Sequence, residues 1–243
     1  MYENLGSAAS SSAEDVAVVI AHDFVETFGG AERILASIAK LFPDAPVWAI
    51  AGRRSVAERM GIADRLFTVL PEREFLLRHY RLLAPAYPGL TRRHRLPEAD
   101  VLLTSSYAFA HGFRTKNDAP QLCYCYSPPR FAWSMTAEYS RRSRLGRLGV
   151  PMLAAATRRA DRRAAANVSR YVAESHHVAG VIRTAYGRES RVIHPPVDCS
   201  LFTPSLSTGH DGYFLFCGRL TEPYKRAGVV IDAFRALPHL RLV

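Results

Sequence analysis

A chain of 243 residues, 48% hydrophobic and 22% charged, has the balance of an ordinary globular protein and room for one large or two small domains. No apolar run reaches the ~18 residues that span a bilayer, and residues 1–15 lack the basic start and apolar stretch of a secretory signal. The net charge of +10, from 32 basic and 22 acidic residues, favours anionic partners: nucleic acid, anionic lipid or phosphorylated ligands.

Residues 1–15, with serines scattered among alanines, read as a disordered leader. Residues 16–20 (VAVVI) form a short apolar run typical of a buried parallel strand. His22 and Asp23 end that strand, on the side where α/β proteins place their sites. A loop holding Gly29 and Gly30 follows. A helix then carries Ile34, Leu35, Ile38, Leu41 and Phe42 on one face until Pro43 stops it. Strands are expected at 47–50, 67–70, 101–104, 121–126, 170–173 and 191–193, with helices at 72–83, 152–167 and 175–186. This alternation argues for a doubly wound parallel sheet, an α/β Rossmann-like domain over residues 16–199. Residues 200–212 read as a polar linker, after which strand and helix restart over 213–243. A strand–helix–strand unit of that size leaves a sheet edge and a helix face bare, so it reads as the truncated start of a second domain.

Charge and cysteine narrow the partners. Of the basic residues, 29 are Arg and three are Lys: Lys40, Lys116 and Lys225. Residues 141–170 hold nine Arg against one acid, Asp161. These stretches lack interleaved aromatics and no nucleic-acid-binding motif is present, so nucleic acid is not the expected partner. Arg73, Arg78 and Arg81 share a helix with Phe75, Leu76, Leu77 and Tyr80, the pattern of either a solvated basic face or a membrane-surface helix. Cys123, Cys125, Cys199 and Cys217 show no zinc spacing, and the first two lie two apart on one strand, poorly placed for a disulfide. Reduced structural thiols and a cytoplasmic location, peripheral to a membrane at most, are therefore expected.

Two loops hold the chemistry. In Phe28-Gly29-Gly30-Ala31-Glu32-Arg33, paired glycines let a ligand approach the backbone at a helix N-terminus; the competing reading is a tight turn that needs glycine for its conformation. In the loop 218–226, Arg219 and Lys225 bracket a helix start, where cations oppose the helix dipole unless an anion binds between them. Elsewhere, His176-His177 has no third ligand nearby and does not read as a metal site.

Together with Ser127-Pro128-Pro129-Arg130-Phe131-Ala132-Trp133, Pro195-Pro196-Val197-Asp198, Gly218-Arg219-Leu220 and Lys225-Arg226, the Gly29-Gly30-Ala31-Glu32 segment resembles the retaining glycosyltransferases of family 4. The resemblance implies a GT-B fold, with an acceptor-binding N-terminal domain and a C-terminal domain for a nucleotide-sugar such as a GDP- or UDP-sugar. It implies that Gly29, Gly30, Arg219 and Lys225 hold the donor diphosphate and that no metal or other cofactor is required. His22, Asp23, Glu32, Ser127 and Arg130 become candidates for the acceptor side of the cleft. Tyr126 stands where such enzymes usually carry a His near the reaction centre. It cannot act as a comparable base near neutral pH. The family's glutamate pair and base contacts would fall beyond Val243. The reading is thus a sugar transferase acting on a saccharide or lipid-linked acceptor in surface polysaccharide or glycolipid synthesis. The alternatives are a non-catalytic fragment of such an enzyme and a basic polyanion-binding protein.

Overall fold

The computed structural model describes residues 16–141, 144–202, 212–218, 220 and 225–243. The expected leader therefore lies outside the described residues. Strands β1 (Val18–Val25), β2 (Val47–Gly52), β3 (Leu66–Thr68), β4 (Arg95–Leu96), β5 (Val101–Ser106), β6 (Arg114–Thr115), β7 (Gln121–Cys125), β8 (Arg170–Ala173) and β9 (Ser190–Val192) alternate with helices α1 (Gly30–Leu41), α2 (Arg54–Met60), α3 (Glu74–His79), α4 (Tyr87–Arg93), α5 (Thr136–Ser140), α6 (Arg144–Ala166) and α7 (His176–Tyr186). Seven strands make one parallel sheet in the order β3-β2-β1-β5-β7-β8-β9. The winding reverses between β1 and β5, and the crevice at such a switch point is where open α/β sheets bind ligands. The doubly wound α/β fold expected from the alternation is the one observed. A separate parallel pair, β10 (Tyr213–Phe214) with β11 (Arg241–Leu242), is bridged by α8 (Ala227–Arg235).

The sheet is covered on both faces because its central strand is apolar on both. Val19 and Ala21 of β1 pack into a core with Leu77, Tyr87, Leu102 and Phe113, while Ile20 packs on the opposite face with Leu35, Val47 and Met60. Two arginines close helix ends. Arg65 donates to the carbonyls of Ala39, Phe42 and Ala45 beyond α1, and Arg188 to those of Ala165, Val168 and Ser169 beyond α6. Each places a cation on carbonyls that the helix cannot satisfy, where the dipole favours positive charge.

Several elements differ from the sequence expectation for identifiable reasons. His22 does not end β1 but sits within it, since the strand runs on to Val25. β3 starts at Leu66 and stops at Thr68, although Val69 and Leu70 still donate to Ala49 and Ile50. The helix expected at 72–83 is α3 followed by a tighter 3-10 turn, Tyr80–Leu83. α6 begins eight residues earlier than expected, running through Pro151 despite its missing donor. α4, which no element of the sequence reading anticipates, forms across Pro88 because the proline lies in the first turn, where its missing N–H costs nothing.

One buried polar cluster ties α6 to α7 and to the segments that follow β5 and β7. Asp161 of α6 accepts from Trp133 Nε1 (2.7 Å) and Tyr186 Oη (2.8 Å), and its Oδ1 lies 3.0 Å from Nε2 of His111. Burial disfavours a charged imidazole here, but the Asp161 carboxylate outweighs it and pushes the His111 pKa up to about 9. A folded-state pKa above the ordinary value of 6.5 means stabilisation that is fully present below pH 6.5 and lost as pH rises through about 9. The span corresponds to on the order of 3 kcal/mol. Asp161→Asn should therefore cost stability near neutral pH and lose the decline between neutral pH and pH 9 expected of the parent. Urea unfolding of both proteins at several pH values measures this, and parallel stability curves for the two would refute it.

Candidate active-site cleft

At the carboxyl ends of β1, β5, β7 and β8 lies a cleft of about 1480 Å³. Its walls include Glu26, Gly30, Glu32 and Arg33 from the β1–α1 segment, Tyr107 and Phe109 after β5, and Tyr126 and Arg130 after β7. Glu174 after β8, the 195–198 segment and Lys225 complete it. A smaller cavity of about 360 Å³ adjoins it, lined by Tyr126, Ser127, Arg130, Glu174, His177 and Arg226 among others. The structure thus brings Gly30, Glu32, Tyr126, Ser127, Arg130 and Lys225 to adjoining walls. Arg219 lies outside the described residues.

The β1–α1 loop is shaped without any need for glycine. Gly29 caps α1 at φ −100°, and neither Gly29 nor Gly30 has the positive φ that Gly61, Gly187 and Gly212 adopt. A Cβ added at Gly30 would meet no atom within 4 Å. A positive-φ turn therefore does not explain this pair, and Gly30 leaves open space at a helix N-terminus, whose first N–H groups have no intrahelical acceptor. Glu32 supports the same end. Its Oε2 accepts from the Gly29 N–H at 2.9 Å, the reach-back half of a capping box.

Asp23 has a different role from the ligand contact its position suggested. It is fully buried, and its carboxylate accepts four backbone N–H groups: Tyr107 (2.6 Å) and Ala108 (3.0 Å) on Oδ2, Phe109 (2.5 Å) and Ala110 (2.7 Å) on Oδ1. Its acceptor capacity is spent on fixing the loop after β5.

His22 and Tyr126 belong to one buried chain of hydrogen bonds. His22 Nδ1 lies 2.8 Å from the Ser105 carbonyl, which accepts only, so Nδ1 carries the proton. Burial lowers the pKa of His22 against the opposing pull of Asp23 and Glu32, keeping the ring neutral. Tyr126 Oη donates to the Ala31 carbonyl (3.1 Å) in the first turn of α1 and so accepts from Ser105 Oγ (2.8 Å). Burial raises the Tyr126 pKa far above its ordinary value. The phenol is a neutral strut between β5 and the glycine loop.

Two further cleft carboxylates were not singled out from the sequence. Glu26 has its pKa raised by burial, with Arg53, 3.3 Å from Oε2, opposing the shift. Glu174 is half-buried and raised likewise, with Arg130 opposing. Their signal was available in principle: each is the first residue after a parallel strand on the crevice side. Among the described residues no group of three or more His, Cys, Asp or Glu side chains is placed to hold a metal ion.

This architecture has solved counterparts. The chain superposes on Anabaena HepE in complex with UDP and glucose with a TM-score of 0.54 and 18% sequence identity, covering 90% of this chain and 58% of that one. It also matches HepE with UDP (TM-score 0.52, 18% identity, 90% and 57% covered) and with UDP-glucose (0.52, 17%, 89% and 57%). The chain shares its fold with HepE. It spans a little under three-fifths of the length of that protein. No protein-family model and no curated protein matches the sequence.

If Tyr126 is a strut, Tyr126→Phe should cost about 1–2 kcal/mol through the lost bond to Ala31 and the Ser105 hydroxyl left without its acceptor. It should also speed amide exchange in the first turn of α1 more than elsewhere. Hydrogen exchange by NMR reads this directly; unchanged exchange in that turn would remove the strut role.

Proposed function

We propose that this chain forms the acceptor side, and the beginning of the donor side, of a glycosyltransferase. It moves a sugar from a nucleoside-diphosphate donor to a saccharide or lipid-linked acceptor. The observation that carries the reading is the vacant volume at Gly30. A helix N-terminus with open space at Gly30 faces a large cleft at the switch point, with Lys225 on the same cleft. Such an end offers free N–H groups and partial positive charge to an anion. A diphosphate seated there would meet fixed positive charge as the glycosidic C–O bond breaks and negative charge builds on the leaving group. Arg219 would add to it, and the transfer would proceed with retention. HepE, with the same fold, was crystallised with UDP and with UDP-glucose, which favours a nucleotide-sugar as the donor here. In this reading residues 16–199 are the acceptor-side domain, 200–212 a linker and 213–243 the start of the donor domain. The product would enter a surface polysaccharide or glycolipid.

The test exploits the same vacancy. Gly30→Val should fold and melt no lower than the parent, because a Cβ there meets no protein atom within 4 Å, yet weaken UDP binding at least ~tenfold by filling the anion seat. Lys225→Ala should weaken it comparably, given roughly 1.5–3 kcal/mol for a charge-assisted contact. Isothermal titration with UDP decides; unaltered affinity in both variants would end the diphosphate assignment.

The acceptor's setting follows from the surface. Phe75 and Leu82 are 73% and 75% exposed beside Arg73 and Arg78, while Leu148 and Met152 protrude from the arginine-rich α6. No helix among the described residues is long and apolar enough to cross a membrane. Exposed apolar side chains among arginines suit the surface of an anionic bilayer. The protein should sediment with anionic vesicles at low salt, and less as salt rises, with about 1 kcal/mol contributed per near-surface Arg. Phe75→Asp should weaken this binding; equal sedimentation with neutral vesicles would argue against it.

A further inference from the structure

Four carboxylates line the large cleft: Glu26, Glu32, Glu174 and Asp198. Three are engaged. Glu26 is held by Arg53, Glu32 by the Gly29 N–H, and Asp198 by the Ser200 N–H and hydroxyl. Glu174 differs. None of the hydrogen bonds among the described residues ends on its carboxylate, although its backbone is fixed at both atoms. Its N–H donates to Cys125 (3.3 Å) and its carbonyl accepts from His194 Nδ1 (3.1 Å). It directly follows β8, and it lines both the large cleft and the smaller cavity beside it. The scaffold therefore places at the junction of two cavities, on a rigid mount, a carboxylate that feels the Arg130 charge but accepts no hydrogen bond among the described residues.

A carboxylate there repels phosphate and accepts hydrogen bonds from neutral donors. The rings of Tyr107, Phe109 and Phe131 on the same cleft offer flat apolar faces. Apolar walls with a few placed polar groups are the usual make-up of a site for a small organic ligand. A sugar ring, with hydroxyls at its rim and C–H groups on its face, matches both.

We propose that Glu174 is a specificity-determining residue that accepts a hydrogen bond from a hydroxyl of the saccharide acceptor, seating an uncharged sugar ring at the junction of the two cavities. This rests on the transferase reading above and adds to it the residue that selects the acceptor.

The experiment uses the full chain. Methyl glycosides of glucose, galactose, mannose and N-acetylglucosamine are titrated by saturation-transfer NMR, with UDP titrated in parallel. At least one glycoside should bind, and Glu174→Gln should weaken it about tenfold or more while leaving UDP affinity within about twofold, as expected for a lost hydrogen bond to a charged group. Glu174→Asp, which keeps the charge but withdraws it, should weaken the glycoside too and guards against a folding defect in the amide variant; melting curves check both. Glycoside affinity unchanged in both variants overturns the role of Glu174 and leaves the transferase reading intact. Binding of UDP but of no glycoside does the same. Binding of neither ligand removes both.

Discussion

The cleft depends on one carboxylate. Asp23 receives four consecutive backbone N–H groups from the loop after β5, joining two strands that lie side by side at the point where the sheet reverses direction. Hydrogen bonds to an ionised group are stronger than neutral ones, and four converge here on one buried side chain. They fix the segment that carries Tyr107 and Phe109, and hence one wall of the cleft. The opposite wall, α1, is braced by Tyr126 on Ala31 and by Glu32 on Gly29. Three side chains that do not touch a ligand in this reading thus hold the geometry for those that do.

The sheet was legible because parallel strands buried on both faces must be apolar throughout, and short runs such as VAVVI announce themselves. Boundaries were less so where backbone bonding outlasts the strand, as at Val69 and Leu70, or where a breaker residue occupies a tolerated position, as at Pro88. Pro151 was misleading for a different reason. A long helix can lose one internal hydrogen bond and survive if the rest of its face is packed.

At the site, types of residue were easier to read than roles. Gly29, Gly30 and Tyr126 were found from the sequence, and Gly30 and Tyr126 do line the cleft. Asp23 drew attention by position, but whether an acid at a strand end faces a ligand or caps a loop depends on backbone N–H groups 84 to 87 residues away, which no local pattern encodes. Glu174 was overlooked because an acid before a helix cap reads as ordinary helix chemistry. Only the packing of β7 against β8 puts it where two cavities meet.

The empty place at Gly30 carries a cost that shapes how this protein tolerates change. Glycine where alanine fits without strain forgoes roughly 0.4–1 kcal/mol through the freedom of the unfolded chain, and a Cβ at Gly30 meets no atom within 4 Å. A search for heat-resistant variants, blind to activity, would therefore be drawn to this position early and would obtain sturdier proteins whose cleft is plugged. In the transferase reading proposed above, robustness and turnover pull in opposite directions at this single residue.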